Sequence, residues 1–268
     1  MQEKERLDKL LVEKGLVESR EKARALILAG RVSVDGVIIS KAGTNVSPLS
    51  AIRIQEALPF VSRGGEKLEG FFNEFPVELK DKIAMDIGAS TGGFTDCLLK
   101  RGIKKVYAVD VGYGQLDYRL RSDERVVNRE KVNIRYLDPQ TIGEKIDLVT
   151  IDVSFISLEL VLPVLNNIVS PDSEVVALVK PQFEVGKGEV EKKGIIRDRE
   201  KHKKVLRKIA AFSQLLGWKV RGMTKSSLPG AKGNIEYFIY LTRSQGSSGI
   251  SDIETVIGDL IKDAGAEA

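Results

Sequence analysis

The stretch Ile83-Ala-Met-Asp-Ile-Gly-Ala-Ser-Thr-Gly-Gly-Phe94 constrains this chain more than any other. It is a short apolar run that ends in a carboxylate and then breaks into glycines and hydroxyls. Residues 83–87 read as a strand buried on both faces, as in the middle of a parallel sheet. Gly88, Gly92 and Gly93 permit dihedrals and close approaches that a Cβ forbids. The spacing predicts a helix over 93–100, its free N–H groups opening toward the crevice at the strand's carboxyl end, where open α/β sheets hold ligands. Two phosphate-binding readings fail. A Walker loop needs Lys and then Ser or Thr after its last glycine, and here Phe94 follows Gly93; the dinucleotide fingerprint needs a glycine at position 90, which is Ser.

A second apolar run, 106–109, ends in Asp110. A carboxylate about 20 residues past the first glycine, at the tip of the next strand, is placed to take ribose hydroxyls. Further strand patterns cover 123–128, 147–151, 174–179, 218–223 and 235–241, with a basic helical stretch over 201–216. Strands alternating with helices predict a parallel sheet wound on both faces, closed by a terminal hairpin. The expected fold class is therefore α/β.

Composition sets the outer bounds. A chain of 268 residues holds one large domain and a small one. With 30% charged and 42% hydrophobic residues it has the make-up of a soluble globular protein. Its one cysteine, Cys97, cannot form an internal disulfide, and inside the helix after the glycine loop it reads as structural. One His and one Cys leave too few ligands for a zinc site, so no metal is expected. No apolar run reaches the roughly 18 residues of a membrane span, and the N-terminus starts with charges, so a cytoplasmic protein without a membrane partner is expected. Net charge is only +4, but residues 180–232 hold 15 Lys or Arg against 5 Asp or Glu, which suits a polyanion.

Residues 6–30 carry two helical patterns: Leu7, Leu10 and Leu11 before Gly15, then Ala23, Leu26 and Ile27 before Gly30. Ser19 is a natural N-cap and both glycines stand in C-cap position. A hairpin with an Asp35-Gly36 turn follows, then a strand over 51–54. The polar side displays Arg6, Arg20, Lys22, Arg24 and Arg31. The run from Arg6-Leu-Asp-Lys-Leu-Leu through Ser19-Arg-Glu-Lys-Ala-Arg-Ala-Leu-Ile-Leu-Ala-Gly-Arg-Val-Ser-Val-Asp-Gly36 resembles the S4 RNA-binding domain along nearly all of 6–54. The resemblance implies recognition of structured RNA by shape and phosphate, through Arg6, Ser19, Arg20, Lys22, Arg24 and Arg31.

The next helix begins Ser62-Arg-Gly-Gly-Glu-Lys67, which puts a cation in the first turn, against the helix dipole. Such a placement calls for a reason beyond solvation. Asp152 and Lys180 each end a predicted strand, and Glu236 opens the last one. The glycine loop resembles motif I of S-adenosylmethionine-dependent methyltransferases. Lys67, Asp152, Lys180 and Glu236 resemble the Lys-Asp-Lys-Glu tetrad of FtsJ-like ribose 2'-O-methyltransferases. They stand in the contexts Ser-Arg-Gly-Gly-x-Lys-Leu, Ile-Asp-Val-Ser-Phe-Ile-Ser, Leu-Val-Lys-Pro-Gln-Phe-Glu and Gly-Asn-Ile-Glu-Tyr. Joined to an S4 module, the chain over about 6–243 looks like the TlyA family, whose members methylate cytidine ribose in ribosomal RNA and often carry the label hemolysin.

That resemblance implies a Rossmann-like class I methyltransferase with a seven-stranded mixed sheet, preceded by a small α+β S4 domain. The organisation expected is 1–57 for the S4-like domain, 58–62 for a linker, 63–244 for the methyltransferase, and 245–268 for a flexible linker and terminal helix. It implies S-adenosylmethionine as cofactor and ribosomal RNA or ribosomal subunits as partner. Lys180 would act as base, Asp152 would aim it, and Glu236 would orient Lys67. Asp86, Gly88, Ala89, Ser90, Thr91, Gly92, Gly93 and Phe94 would surround the cofactor's methionine part, and Asp110 with Val111 its ribose. Asn133 would read the adenine edge, with Glu130 as competitor. Arg63, Lys187, Lys192, Lys193, Arg197 and Lys232 would extend the basic surface around the crevice.

Three rival readings fit less well. A membrane-lytic protein would need a long apolar or cationic amphipathic segment, and 253–261 is short and acidic. A binding-only protein with a dead methyltransferase fold would not need all four tetrad positions. An S4-bearing pseudouridine synthase has no use for the glycine loop.

Overall fold

The computed structural model describes residues 4–28, 31–54, 59–186, 188–190 and 194–263. The chain divides into two compact units, Met1–Leu58 and Pro59–Ala268. The first contains β1 (Glu5–Arg6), α1 (Leu7–Glu13), α2 (Arg20–Leu28), β2 (Val32–Val34), β3 (Val37–Ile38), β4 (Asn45–Val46) and β5 (Ile52–Ile54). Leu7, Leu10, Leu11, Ala23 and Ile27 form its core with Val32, Val34 and Val46. The apolar faces read from helical spacing are the faces that meet. Ser19 caps α2 by accepting the Lys22 N–H at 3.2 Å. Gly15 closes α1 at φ +66°, while Gly30 lies outside the described residues. Asp35 and Gly36 take φ +50° and +83°, the left-handed pair that a two-residue hairpin turn requires. β2 is central in a β3-β2-β5 sheet, and β1 pairs with β4. Two-residue strands are too short to show a period, so the β1-β4 pair left no mark in the sequence.

The second unit runs α3 (Arg63–Glu74), β6 (Ile83–Ile87), α4 (Gly93–Lys100), β7 (Lys105–Val109), α5 (Tyr118–Arg121), β8 (Val126–Arg129), β9 (Ile146–Ile151), α6 (Leu162–Leu165), β10 (Val169–Val179), α7 (Pro181–Glu184), α8 (Arg199–Leu215), β11 (Lys219–Lys225), β12 (Tyr237–Thr242) and α9 (Ile253–Asp263). Among the described residues its sheet has seven strands in the order β11-β12-β10-β9-β6-β7-β8. β10, β9, β6, β7 and β8 are parallel neighbours, and β12 is antiparallel to both β10 and β11. One face packs Leu68, Phe71 and Phe72 of α3 and Phe94, Cys97 and Leu98 of α4 on the sheet. The other packs Val205, Leu206, Ile209 and Ala210 of α8.

Several boundaries differ from the sequence reading, among them three strand starts. β10 starts at Val169 rather than near 174, because a register shift between Val169 and Glu174 interrupts the ladder where the chain reads Ser-Pro-Asp-Ser. β8 starts at Val126 because Asp123 turns the chain, accepting the Arg125 N–H at 3.0 Å on its carboxylate and the Val126 N–H at 2.9 Å on its carbonyl. β12 starts at Tyr237, one residue after Glu236. Cys97 is fully buried, and burial pushes its thiol far above the usual range.

Candidate active site

Parallel neighbours deliver their carboxyl ends to one edge of a sheet, and β10, β9 and β6 are such neighbours. Asp152 follows β9, its N–H donating to the Ile87 carbonyl at 2.9 Å. Lys180 follows β10, where Pro181 stops the ladder and opens α7. The Lys180 Nζ lies 2.6 Å from Asp152 Oδ1 and donates to Ser154 Oγ at 3.1 Å. Lys67 is the fifth residue of α3, just past the first turn expected for it because the helix starts at Arg63, and its Nζ donates to Glu236 Oε2 at 2.7 Å. That carboxylate is the reason a cation can stand there. Both groups are buried, at 8% and 3% exposure, and a buried charge is tolerated when paired. Gln182 Nε2 donates to Glu236 Oε1 at 3.3 Å. Lys67, Asp152 and Lys180 thus meet on one cavity, with Glu236 paired to Lys67 outside its lining.

That cavity, about 360 Å³, is lined by Lys67, Asp152 and Lys180 together with Gly88, Ala89, Ser90, Thr91, Gly93 and Phe94. Ser62, Arg63, Gly64, Ser154, Pro229 and Gly230 complete it. The glycines are sterically required. Gly88 has φ +83°, and a Cβ there would sit 2.4 Å from the Asp152 carbonyl oxygen. A Cβ on Gly93 would lie 2.3 Å from Ser62 Oγ and 2.9 Å from the Gly65 nitrogen, so the first turns of α3 and α4 abut.

Other expected cofactor residues stand around this cavity rather than in its lining. Asp86 is fully buried. Its carboxylate accepts the Thr95 N–H at 2.9 Å, the Thr95 hydroxyl at 2.7 Å and the Thr150 hydroxyl at 3.1 Å, pinning the start of α4 to β6 and β9. Burial pushes this carboxyl up to about 7 against the pull of those hydrogen bonds. Gly92, at φ +94°, makes room for Leu120 and Leu116. Asp110 accepts the Ser90 N–H at 2.9 Å and the Gly112 N–H at 2.6 Å. Val111 is exposed, and Asn133 is exposed and caps the Arg135 N–H at 3.1 Å. Glu130 accepts N–H bonds from Gln115 at 2.9 Å and Leu116 at 3.3 Å and pairs with Arg121 at 2.9 Å. Although desolvation acts upward on Glu130, backbone N–H donors hold its carboxyl at about 2.

The basic residues divide in the same way. Arg63 lines the cavity and donates to the Pro229 carbonyl at 3.1 Å. Arg197 and Lys232 border a different cavity beside His202 and Tyr237. Lys187, Lys192 and Lys193 lie outside the described residues. In the first unit, Arg6 and Arg20 both bind the buried Asp8, at 3.0 Å each. Hydrogen bonds from Arg6 above all hold that carboxyl at about 2. Lys22 pairs with Glu18 at 3.1 Å; Arg24 is exposed and Arg31 partly so.

Sequence reasoning missed Gln182, Ser154 and Phe155. Phe155 is 90% exposed with φ +63°, its ring centroid 4.8 Å from that of Phe183. Nothing in Ile-Asp-Val-Ser-Phe-Ile-Ser distinguishes an exposed phenylalanine from a core one. Gln182 follows the Lys-Pro signal, but its partner is 54 residues away.

An FtsJ-like methyltransferase model matches residues 60–243, and an S4 domain model matches residues 5–49. A relative named 16S/23S rRNA (cytidine-2'-O)-methyltransferase TlyA, from Mycobacterium tuberculosis, is 44% identical over 258 residues, covering 94% of this chain and 96% of that protein. The chain belongs to the TlyA family of FtsJ-like methyltransferases. Another TlyA-like relative, Hemolysin A of Brachyspira hyodysenteriae, is 44% identical over 238 residues, covering 88% of this chain and 98% of that one. A solved structure of a hemolysin-named protein from Streptococcus thermophilus superposes with TM-score 0.76 at 41% identity, covering 100% of this chain and 98% of that one. Family membership makes the chain a methyltransferase and implies S-adenosylmethionine as its methyl donor, and the S4 unit implies an RNA substrate. Among the described residues no helix is long and apolar enough to cross a membrane.

Proposed function

We propose that this protein is an S-adenosylmethionine-dependent 2'-O-methyltransferase acting on the ribose of cytidine in ribosomal RNA. The observation that carries the reading is the joining of two Lys–carboxylate pairs, Lys180–Asp152 and Lys67–Glu236, on one cavity walled by the glycine loop. The names of the TlyA relatives support ribosomal RNA and cytidine as the target. A ribosomal substrate puts the enzyme where ribosomes are, in the cytoplasm.

The glycine loop fits the cofactor: Gly88, Ala89, Ser90, Thr91 and Gly93 wall the cavity of about 360 Å³ with glycines and small side chains. Gly88 to Phe94 would hold the methionine part above Asp86, Asp110 and Val111 the ribose, and Asn133 the adenine edge. When bound, the cofactor supplies an activated methyl group and needs no metal to make it reactive. A ribose hydroxyl is a very weak acid, so its proton must leave as the oxygen attacks. Lys180 is the base in this reading. Asp152 and Ser154 hold its Nζ, and once the ammonium has given one proton to solvent the freed lone pair would take the proton of the hydroxyl. Lys67, fixed by Glu236, which Gln182 holds in turn, would place a positive charge beside the developing oxyanion.

The test is to incubate the protein with labelled S-adenosylmethionine and ribosomal subunits from cells lacking the gene, then map labelled ribose. Label on a cytidine 2'-oxygen, lost in Lys180→Ala, is expected. Turnover at the wild-type rate by Lys180→Ala would remove the base, and label on a nucleobase would remove the reaction.

A further inference from the structure

Three residues of the short helix α7 reach different parts of the site. Gln182 holds Glu236, Phe183 packs beside Phe155, and Glu184 turns inward. Glu184 is 5% exposed. It accepts the Ser157 hydroxyl at 2.6 Å and the Leu158 N–H at 2.8 Å. Lys208 of α8 donates to the Glu184 carbonyl at 2.8 Å, and its Nζ lies 3.6 Å from Oε2. Ser157 and Glu184 are the last residues of the two motifs that begin around Asp152 and Lys180, so the motifs are fastened at both ends. At one end is the Lys180–Asp152 pair, and at the other the Glu184–Ser157 bond.

The loop between needs fastening. It runs from Asp152 to Ser157 and includes Phe155 at φ +63°, a conformation that is strained for a non-glycine residue and persists only where its surroundings impose it. Its first end is fixed by the β6-β9 ladder through the Asp152 N–H. Its second end is fixed by an acid that burial pushes above the usual carboxylate range, with Ser157 and Leu158 pulling the other way. An apolar side chain would fill the same space without the desolvation cost, but it could not accept two hydrogen bonds from the loop.

We propose that Glu184 is a positioning residue for methyl transfer: by holding Ser157 and Leu158 it keeps Asp152 and Ser154 in register with the Lys180 amine. Glu184 does not line the cavity and touches no reacting atom. The inference rests on the methyltransferase reading above.

Full-length variants test it in the ribosomal-subunit assay. Glu184→Ala should lower kcat about tenfold or more, since displacement by an ångström can cost 10²-fold, while KM for RNA and Kd for S-adenosylmethionine stay within about twofold. Glu184→Gln keeps an oxygen for the Leu158 N–H and should recover most of the loss. Adding Ser157→Ala to Glu184→Ala should lower kcat by less than the two single losses multiplied, because the residues share one contact, although Ser157 also accepts the Glu159 N–H at 3.1 Å. Wild-type kcat in Glu184→Ala overturns the inference, as does an equal loss in the Ala and Gln variants that tracks a lower Tm. If Glu184→Ala does not fold, Ser157→Ala alone decides, with a severalfold fall in kcat in favour and no change against. Absence of transfer by the wild-type protein sinks the methyltransferase reading; transfer with an unaffected Glu184→Ala sinks only this one.

Discussion

Lys67 is buried one turn into α3, where loss of solvent disfavours a cation, and Glu236 at 2.7 Å offsets that cost. Removing one partner leaves the other charge buried. Glu236→Ala should therefore destabilise the fold by about 3 kcal/mol, read as a lower urea midpoint. The double change Lys67→Met with Glu236→Leu should recover stability but not methyl transfer, which separates the pair's structural part from its chemical one. Gly88→Ala adds a Cβ 2.4 Å from a carbonyl oxygen at positive φ; we expect S-adenosylmethionine affinity to fall at least about tenfold, measured by calorimetry. Asp86 gives a pH prediction. Its carboxyl is raised to about 7 when folded, chiefly by burial, so its contribution to stability is complete below about pH 4, the unfolded value. That contribution is lost as pH rises toward 7. Asp86→Asn lacks the titration, and its Tm relative to wild type should climb between pH 4 and 7. A flat difference would show that the carboxyl titrates normally. That Lys67, Asp152, Lys180 and Glu236 stand at or near element ends close to a glycine loop was legible in the sequence. The submerged role of Asp86, the holding of Asp8 by Arg6 and Arg20, and the exposure of Phe155 were not, because burial is set by distant segments.

At the scale of elements, the helix over 93–100 was read to the residue, because a glycine break before it and a strand ahead of it leave little freedom. The terminal helix was legible only as amphipathic. In the structure Ile257 and Ile261 of α9 are 0% and 2% exposed and join the core beside α8 and Trp218. Ile257→Ala should cost about 2–4 kcal/mol through the cavity it leaves, visible as a fall in Tm. A change under 0.5 kcal/mol would mean the helix frays in solution. Whether an amphipathic stretch docks depends on a complementary groove, and the groove belongs to α8 and β11, far back in the chain.

At the scale of the whole molecule the two units divide the work, the first toward RNA and the second toward chemistry. Lys22 and Arg24 stand exposed on the S4 unit without holding its core, unlike Arg6 and Arg20. The double variant Lys22→Ala with Arg24→Ala should weaken binding to ribosomal RNA and lower the salt slope of log K by about 2, with kcat at saturating RNA unchanged. An unchanged slope in filter binding would take these side chains off the phosphate backbone. Arg20→Ala should lose stability as well, since it loosens Asp8. The sequence by itself determined the alternation of strands and helices, the places where the backbone must lack side chains, and the four polar residues at element ends. These are properties of short windows, where period and sterics act over a few residues. Only the tertiary structure decided that β12 inserts between β10 and β11, bringing Glu236 to Lys67 across 169 residues, and that α7 gathers the loops around Lys180. Strand order and side-chain partnership depend on which distant surfaces bury each other best, and no local pattern encodes that.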